Sequence, residues 1–141
     1  MKTTVLFLVF SCLIGFGNAL HAQTINMPAD RLEDLLCKKW VAAYALMGTM
    51  RVEPGPGAVQ IMYEFKRDNT FLLTNNQQGK TTQGTWNYDS GKGIVVLNAN
   101  GAKRTSIIAL TDTELFMLMD TRGPAPQGME SMKMVYKVMG Q

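Results

Sequence analysis

The sequence predicts an all-β domain of about eight antiparallel strands, folded as a sandwich or as a closed barrel. Two observations carry this. From Trp40 onward, short apolar stretches alternate with polar residues at a period of two. Each stretch is cut off by a cluster of Gly, Asn, Asp or Pro, the residues that turn a chain. One strand and one turn every ~12 residues leave few ways to bury a sheet, and only closure removes its edges. A small barrel has an interior that side chains fill or that holds one small molecule.

A different kind of segment precedes the domain. Lys2 is followed by the apolar run Val5-Leu6-Phe7-Leu8-Val9-Phe10, then Leu13 and Ile14. Leu20-His21-Ala22 before Gln23 fits a signal-peptidase site, with a small residue next to the cut. Residues 1–22 are therefore expected to be a cleaved signal, and the mature chain to be periplasmic or secreted. A transmembrane anchor fits less well, because the run is short and is interrupted by Gly15, Gly17 and Asn18. Lipoprotein processing at Cys12 would place the bulky Phe10 where a small residue is wanted, and the apolar run continues past the cysteine. Gln23, once N-terminal, is a candidate for cyclisation to pyroglutamate.

Composition narrows the function classes. The chain has 141 residues, which favours one domain. Its 14 basic residues, of which only Lys2 lies in the leader, stand against 11 acidic ones. This small and scattered excess gives no nucleic-acid-binding stripe. Only Cys37 remains after the leader, so no intramolecular disulfide can form and the fold must rest on packing and strand pairing. The only histidine is His21, ahead of the cut. The mature chain thus has no Ser–His or Cys–His pair and no His-ligated metal site. The expectation is a protein that is not an enzyme and carries no cofactor or metal.

Residues 23–39 form an N-terminal segment, and residues 40–141 the β domain. Pro28 and Asp30 at the front, Lys38 and Lys39 at the back, and Leu32, Leu35 and Leu36 at helical spacing predict a short amphipathic helix. Trp40–Val52 reads as the first strand, followed by the loop Glu53-Pro54-Gly55-Pro56-Gly57. Val59–Lys66 puts Ile61, Tyr63 and Phe65 on one face, and Asp68-Asn69 turns into Thr70–Thr74 with Phe71 and Leu73. Thr81–Tyr88 carries Gly84, Trp86 and Tyr88 on one side. Ile94–Leu97, Arg104–Leu110, Glu114–Met119 and Met129–Met139 follow, the last with Met132, Met134, Tyr136 and Val138 together. Ile94-Val95-Val96-Leu97, Ile107-Ile108 and Leu115-Phe116-Met117-Leu118-Met119 are apolar on both faces. Their outer face is either tolerated apolar surface or is covered, by the helix or by a second subunit.

Four stretches together resemble a known pattern: Lys38-Lys39-Trp40 after the helix, Tyr63-Glu64-Phe65-Lys66-Arg67-Asp68-Asn69-Thr70-Phe71, Gly84-Thr85-Trp86-Asn87-Tyr88, and Ile107 through Leu115. They are similar to the small secreted lipocalin-like domains common in Bacteroidetes, over roughly Trp40–Val138. Lys38 stands where the lipocalin opening motif has Gly, and Asn69 where the hairpin has Gly. The resemblance implies an up-and-down barrel of about eight strands with a short helix near one end, and binding of a small apolar molecule.

The faces Tyr63/Phe65, Phe71/Leu73, Trp86/Tyr88 and Met132/Met134/Tyr136 are expected to converge inside such a barrel and are the candidate ligand-binding residues. Micromolar affinity requires about 8 kcal/mol. Burying about ten methylenes at ~0.8 kcal/mol each reaches that before entropic costs, so a lipid or acyl chain has the right size. If the same faces leave no cavity, they form a packed core and function moves to the loops Glu53–Ala58 and Asp120–Gly128, to the outer apolar strands, or to a homo-oligomer. Trp40 and Trp86 suit either a core or ligand stacking, and the methionines either gap-filling or adaptable binding. Glu64 is expected to pair across a strand, Asp112 to serve a turn and Glu114 to start a strand, and Cys37 to be a small buried helix residue, with a reactive or lipid-modified thiol as the alternative.

Overall fold

The computed structural model of the chain describes residues 24–118 and 132–140. The expected leader, Cys12, Gln23, Met119, Met129 and the Asp120–Gly128 loop lie outside them.

One helix, α1 (Ala29–Leu36), precedes nine strands: β1 (Lys39–Met47), β2 (Met50–Val52), β3 (Ile61–Phe65), β4 (Thr70–Asn75), β5 (Lys80–Asp89), β6 (Ile94–Ala99), β7 (Ala102–Leu110), β8 (Glu114–Leu118) and β9 (Met132–Val138). Pro28 stands just before the first turn of α1, where its missing N–H costs nothing. Asp30 faces the positive end of the helix dipole, and Leu32, Leu35 and Leu36 form its buried stripe. The helix stops at Leu36, before the lysines expected to close it, and Lys39 already belongs to β1. The Trp40 indole N–H donates to the Leu36 carbonyl at 2.9 Å, which satisfies a helix-end acceptor and fixes the corner between helix and strand.

Every strand pairs antiparallel with its neighbours. β3 to β9 follow one another in sequence order, and β1 joins β3 to β9. The β1–β9 seam runs from Trp40↔Val138 to Met47↔Met132 and closes an eight-stranded barrel. β2 is a ninth strand outside the closed set. The stretch Trp40–Val52, predicted as one strand, is a hairpin, because the backbone reverses at Gly48 with φ +60°, a conformation that suits glycine. β3 pairs only with Lys39–Val41 at the start of β1, and β2 pairs with Ala45–Met47 further along it.

The core follows from the two-residue period. Trp40, Tyr63, Phe65, Phe71, Trp86, Val95, Leu97, Ile107, Leu115 and Tyr136 point inward and form one cluster with Leu32, Leu35 and Leu36. α1 therefore lies across one end of the barrel, here called the lower end, and does not cover the outer apolar strands. Gly84 makes room for this packing: a Cβ there would collide with the Phe71 ring and the Asn98 carbonyl oxygen. At the lower hairpin Asn69 adopts φ +63°, and the Asp68 carboxylate accepts from the Thr70 N–H at 3.0 Å and the Thr70 hydroxyl at 2.5 Å. Those two bonds hold the Asp68 carboxyl below its usual range.

Candidate functional site

Three elements pack at the lower end and leave a partly open pocket of about 380 Å³ between α1, the preceding segment and β5, lined by residues that include Met27, Leu32, Asn69, Trp86 and Tyr88. The extended residues Thr24–Met27 lie against the β5–β6 turn, where the Ile25 N–H donates to the Gly93 carbonyl at 2.8 Å. The Tyr88 hydroxyl sits 3.1 Å from the Ile25 carbonyl and 3.0 Å from that of Met27, so its single proton serves this strap. α1 is tied down by Arg67, which pairs with Asp34 at 2.6 Å and Glu33 at 3.5 Å. The aromatic rings join the strap and the helix in one apolar cluster. Tyr63 stacks on Phe65 with centroids 5.6 Å apart, Phe71 tilts against both, and Tyr136 meets Tyr63 edge-on at 5.4 Å.

The upper half differs. Ile61, Leu73, Thr82, Met132 and Met134 occupy inward register positions yet are only half-buried. The small Ala42 is also half-buried, opposite Tyr136. These positions lie on the β9–β1–β3–β4–β5 side, beside the place where β1 changes partner from β3 to β2. On the opposite wall Ala99, Thr105 and Met117 are buried. The β1–β2 hairpin extends the inner surface outward: Met50 and Val52 pair with the inward residues Met47 and Ala45, share their face, and are 58% and 38% exposed.

The nine candidate residues thus separate into three groups. Phe65, Phe71 and Trp86 are buried in the lower packing, where the Trp86 indole N–H donates to the Lys66 carbonyl at 3.0 Å, and Tyr88 holds the strap. Tyr63 and Tyr136 are buried side by side above that packing. Leu73, Met132 and Met134 are half-buried inward positions nearer the upper end. Trp40 is core, with no exposed surface. Ala42, Ala45, Met47 and Thr82 also take inward register positions and were not among the candidates. The first two are small, and a bulge between Ala42 and Tyr44 shifts the inward parity from Ala42 to Ala45, which strict alternation does not anticipate.

Burial holds the Tyr136 hydroxyl far above its ordinary pKa, with the nearby Tyr63 adding to the effect, so it stays a neutral phenol. Glu64 points outward, 3.9 Å from the Lys39 ammonium, as a cross-strand pair. Glu114 accepts from the Tyr44 hydroxyl at 3.3 Å and faces Lys137 at 4.0 Å on the outer wall. The Arg51 guanidinium lies 3.7 Å from the centre of the Tyr44 ring and pairs with Glu53, which pins β2 to the barrel. Cys37 is half-buried, and burial raises its thiol pKa, so the reactive thiolate is disfavoured. Among the described residues no cluster of His, Cys, Asp or Glu could hold a metal ion. No helix among them is long and apolar enough to cross a membrane. No family model, no curated protein and no solved structure matches the chain.

Proposed function

We propose that the protein is an exported binding protein that takes a small apolar molecule, of lipid or acyl-chain size, through the upper end of its barrel. One observation carries this reading. Above Tyr63 and Tyr136, the inward register positions Ile61, Leu73, Met47, Met132 and Met134 carry apolar side chains that are only half-buried, and Met50 and Val52 on the same face of β2 are exposed. A monomer gains nothing by leaving such a surface wet, and pockets that hold small molecules have this composition. Among the described residues the charged side chains form outward pairs and turns rather than a convergent acid–base set, which supports a carrier over an enzyme. The resemblance to lipocalin-like domains points the same way, and the leader pattern supports export to the periplasm or beyond.

Uptake of Nile red by the protein spanning Gln23–Gln141 tests this. Leu73→Asp is expected to weaken uptake at least ~tenfold, because it places an acid on the apolar wall. Thr85→Asp, on the exposed outer face, is expected to leave uptake unchanged. Circular dichroism checks the fold of each. A wild-type protein that purifies without a bound apolar molecule and takes up no probe would overturn the reading.

A second reading, an interaction module, is favoured by β2, which among the described strands pairs with β1 alone and carries the exposed Met50 and Val52. It predicts self-association or protein capture that is lost on Met50→Lys, with no probe uptake by the wild type.

A further inference from the structure

The pocket at the α1 end takes no part in the binding reading above, and its lining is of a different kind. Met27, Pro28 and Leu32 give it an apolar side at the start of the helix. Asn69, Asn87, Ser90 and Glu33 give it a polar side, and the rings of Trp86 and Tyr88 complete it. The polar atoms of those two rings are already used. The Trp86 indole N–H donates to the Lys66 carbonyl, and the Tyr88 hydroxyl serves the strap. The rings therefore offer surface, and hydrogen bonding falls to the side chains around them. Asn69 is oriented by a bond of its own: its amide N–H donates to the Trp86 carbonyl at 3.3 Å, which leaves the side-chain oxygen as an acceptor. The exposed Asn87 and Ser90 add an amide and a hydroxyl, both able to donate and to accept. Glu33 is the only ionised side chain among the described residues of the lining, and Arg67 stands 3.5 Å from it. The pocket thus presents little net charge.

A purely apolar molecule here would strip water from Asn69, Asn87 and Ser90 without replacing its hydrogen bonds. An anion would approach Glu33, and a cation would approach Arg67. A compact neutral molecule with an apolar face and a rim of hydroxyls meets neither cost. A sugar ring has that form. Its C–H face suits Met27, Leu32 and the Tyr88 ring, and each hydroxyl both donates and accepts, as the amides do. We propose that this pocket is a binding site for a neutral sugar, separate from the apolar site at the other end of the barrel. Its volume of about 380 Å³ lies near the small end of the range for small-molecule pockets, about 300–1,000 Å³, and suits a ring rather than an extended chain.

Titration of the isotope-labelled protein with glucose, mannose and N-acetylglucosamine, followed by amide NMR, tests this. At least one sugar is expected to give saturable shifts at the Asn69 and Asn87 side-chain amides and at the Trp86 indole N–H. Half-saturation is expected at ~1 mM or above, since an open pocket buries only part of a ring. Asn69→Gly removes the amide and keeps the turn, because glycine adopts φ +63° freely. That variant and Asn87→Ala are each expected to weaken binding ~tenfold. No saturable shift with any of the three sugars would overturn the inference. So would shifts that avoid this pocket, or an unchanged affinity in both variants. The inference does not rest on the apolar binding reading: Nile red uptake decides that one, and the failure of either leaves the other standing.

Discussion

Two glycines show how differently the same small side chain can be required. Gly79 lies in the β4–β5 turn with φ +58° and open space around its Cα, so only its backbone angle resists substitution. Gly84 has room for no Cβ at all, because the Phe71 ring and the Asn98 carbonyl already occupy it. Gly84→Ala is expected to cost about 2–3 kcal/mol through overpacking, and Gly79→Ala about 1 kcal/mol through αL strain. Chemical denaturation of the two variants checks the order. Tyr136 makes a second residue-level prediction. Its folded pKa is raised above the ordinary value of 10.0, so the folded state keeps the proton where the unfolded state loses it. The stabilisation is complete below about pH 10 and declines as the pH rises above it. Tyr136→Phe is expected to flatten the alkaline loss of stability, read as the denaturant midpoint against pH. A midpoint that falls equally in both proteins would contradict this. Neither residue announces its role in the sequence: Gly84 reads as one more inward strand position, and only the ring lying across it explains the glycine.

At the scale of elements, α1 behaves as a plug. Leu32, Leu35 and Leu36 enter the same cluster as the barrel rings, and Leu36 has no exposed surface. Leu36→Ala is expected to destabilise the protein by about 2–5 kcal/mol. Arg67→Ala, which removes exposed ion pairs to the same helix, is expected to leave the melt nearly unchanged. Thermal melts of the two separate a plug from a surface ornament. The helix was legible in advance because Pro28, Asp30 and the leucine spacing agree with one another. Its position across the barrel end was not legible, since an amphipathic stripe identifies an apolar face without naming what that face meets. The strands were legible for the same reason as the helix: turn chemistry and alternation agree at Asp68-Asn69 and at Asn100-Gly101, both of which adopt positive φ at one or both positions. The β1–β2 hairpin was missed because Tyr44 through Val52 keeps an apolar bias across Gly48, and a bulge in β1 blurs the alternation. The candidate site was half legible. Alternation found the inward faces, but whether an inward residue is fully packed, as Phe65 is, or only half-buried, as Leu73 is, depends on its height in the barrel.

For the whole molecule, closure is the decisive event. The seam joins β1 to β9, strands at opposite ends of the domain, so the last pairing is also the most distant in sequence. Such non-local topologies fold slowly because loop entropy is lost before contacts repay it. A chain ending before Met132 lacks β9, which frees the edges of both β1 and β8. It is expected to lose its cooperative melt and to self-associate through those edges, as size-exclusion chromatography and circular dichroism would show. A monomeric, cooperatively melting truncation would mean that the seam is dispensable. The strap and the end of β9 add a directional property. Ile25 docks on the β5–β6 turn, and Val138 pairs beside Trp40, so both lie at the end where α1 packs. A linker or tether joined at Thr24 or after Val138 would therefore grip the barrel at its α1 end, and the pull on it would fall on the same side of the domain from either point of attachment.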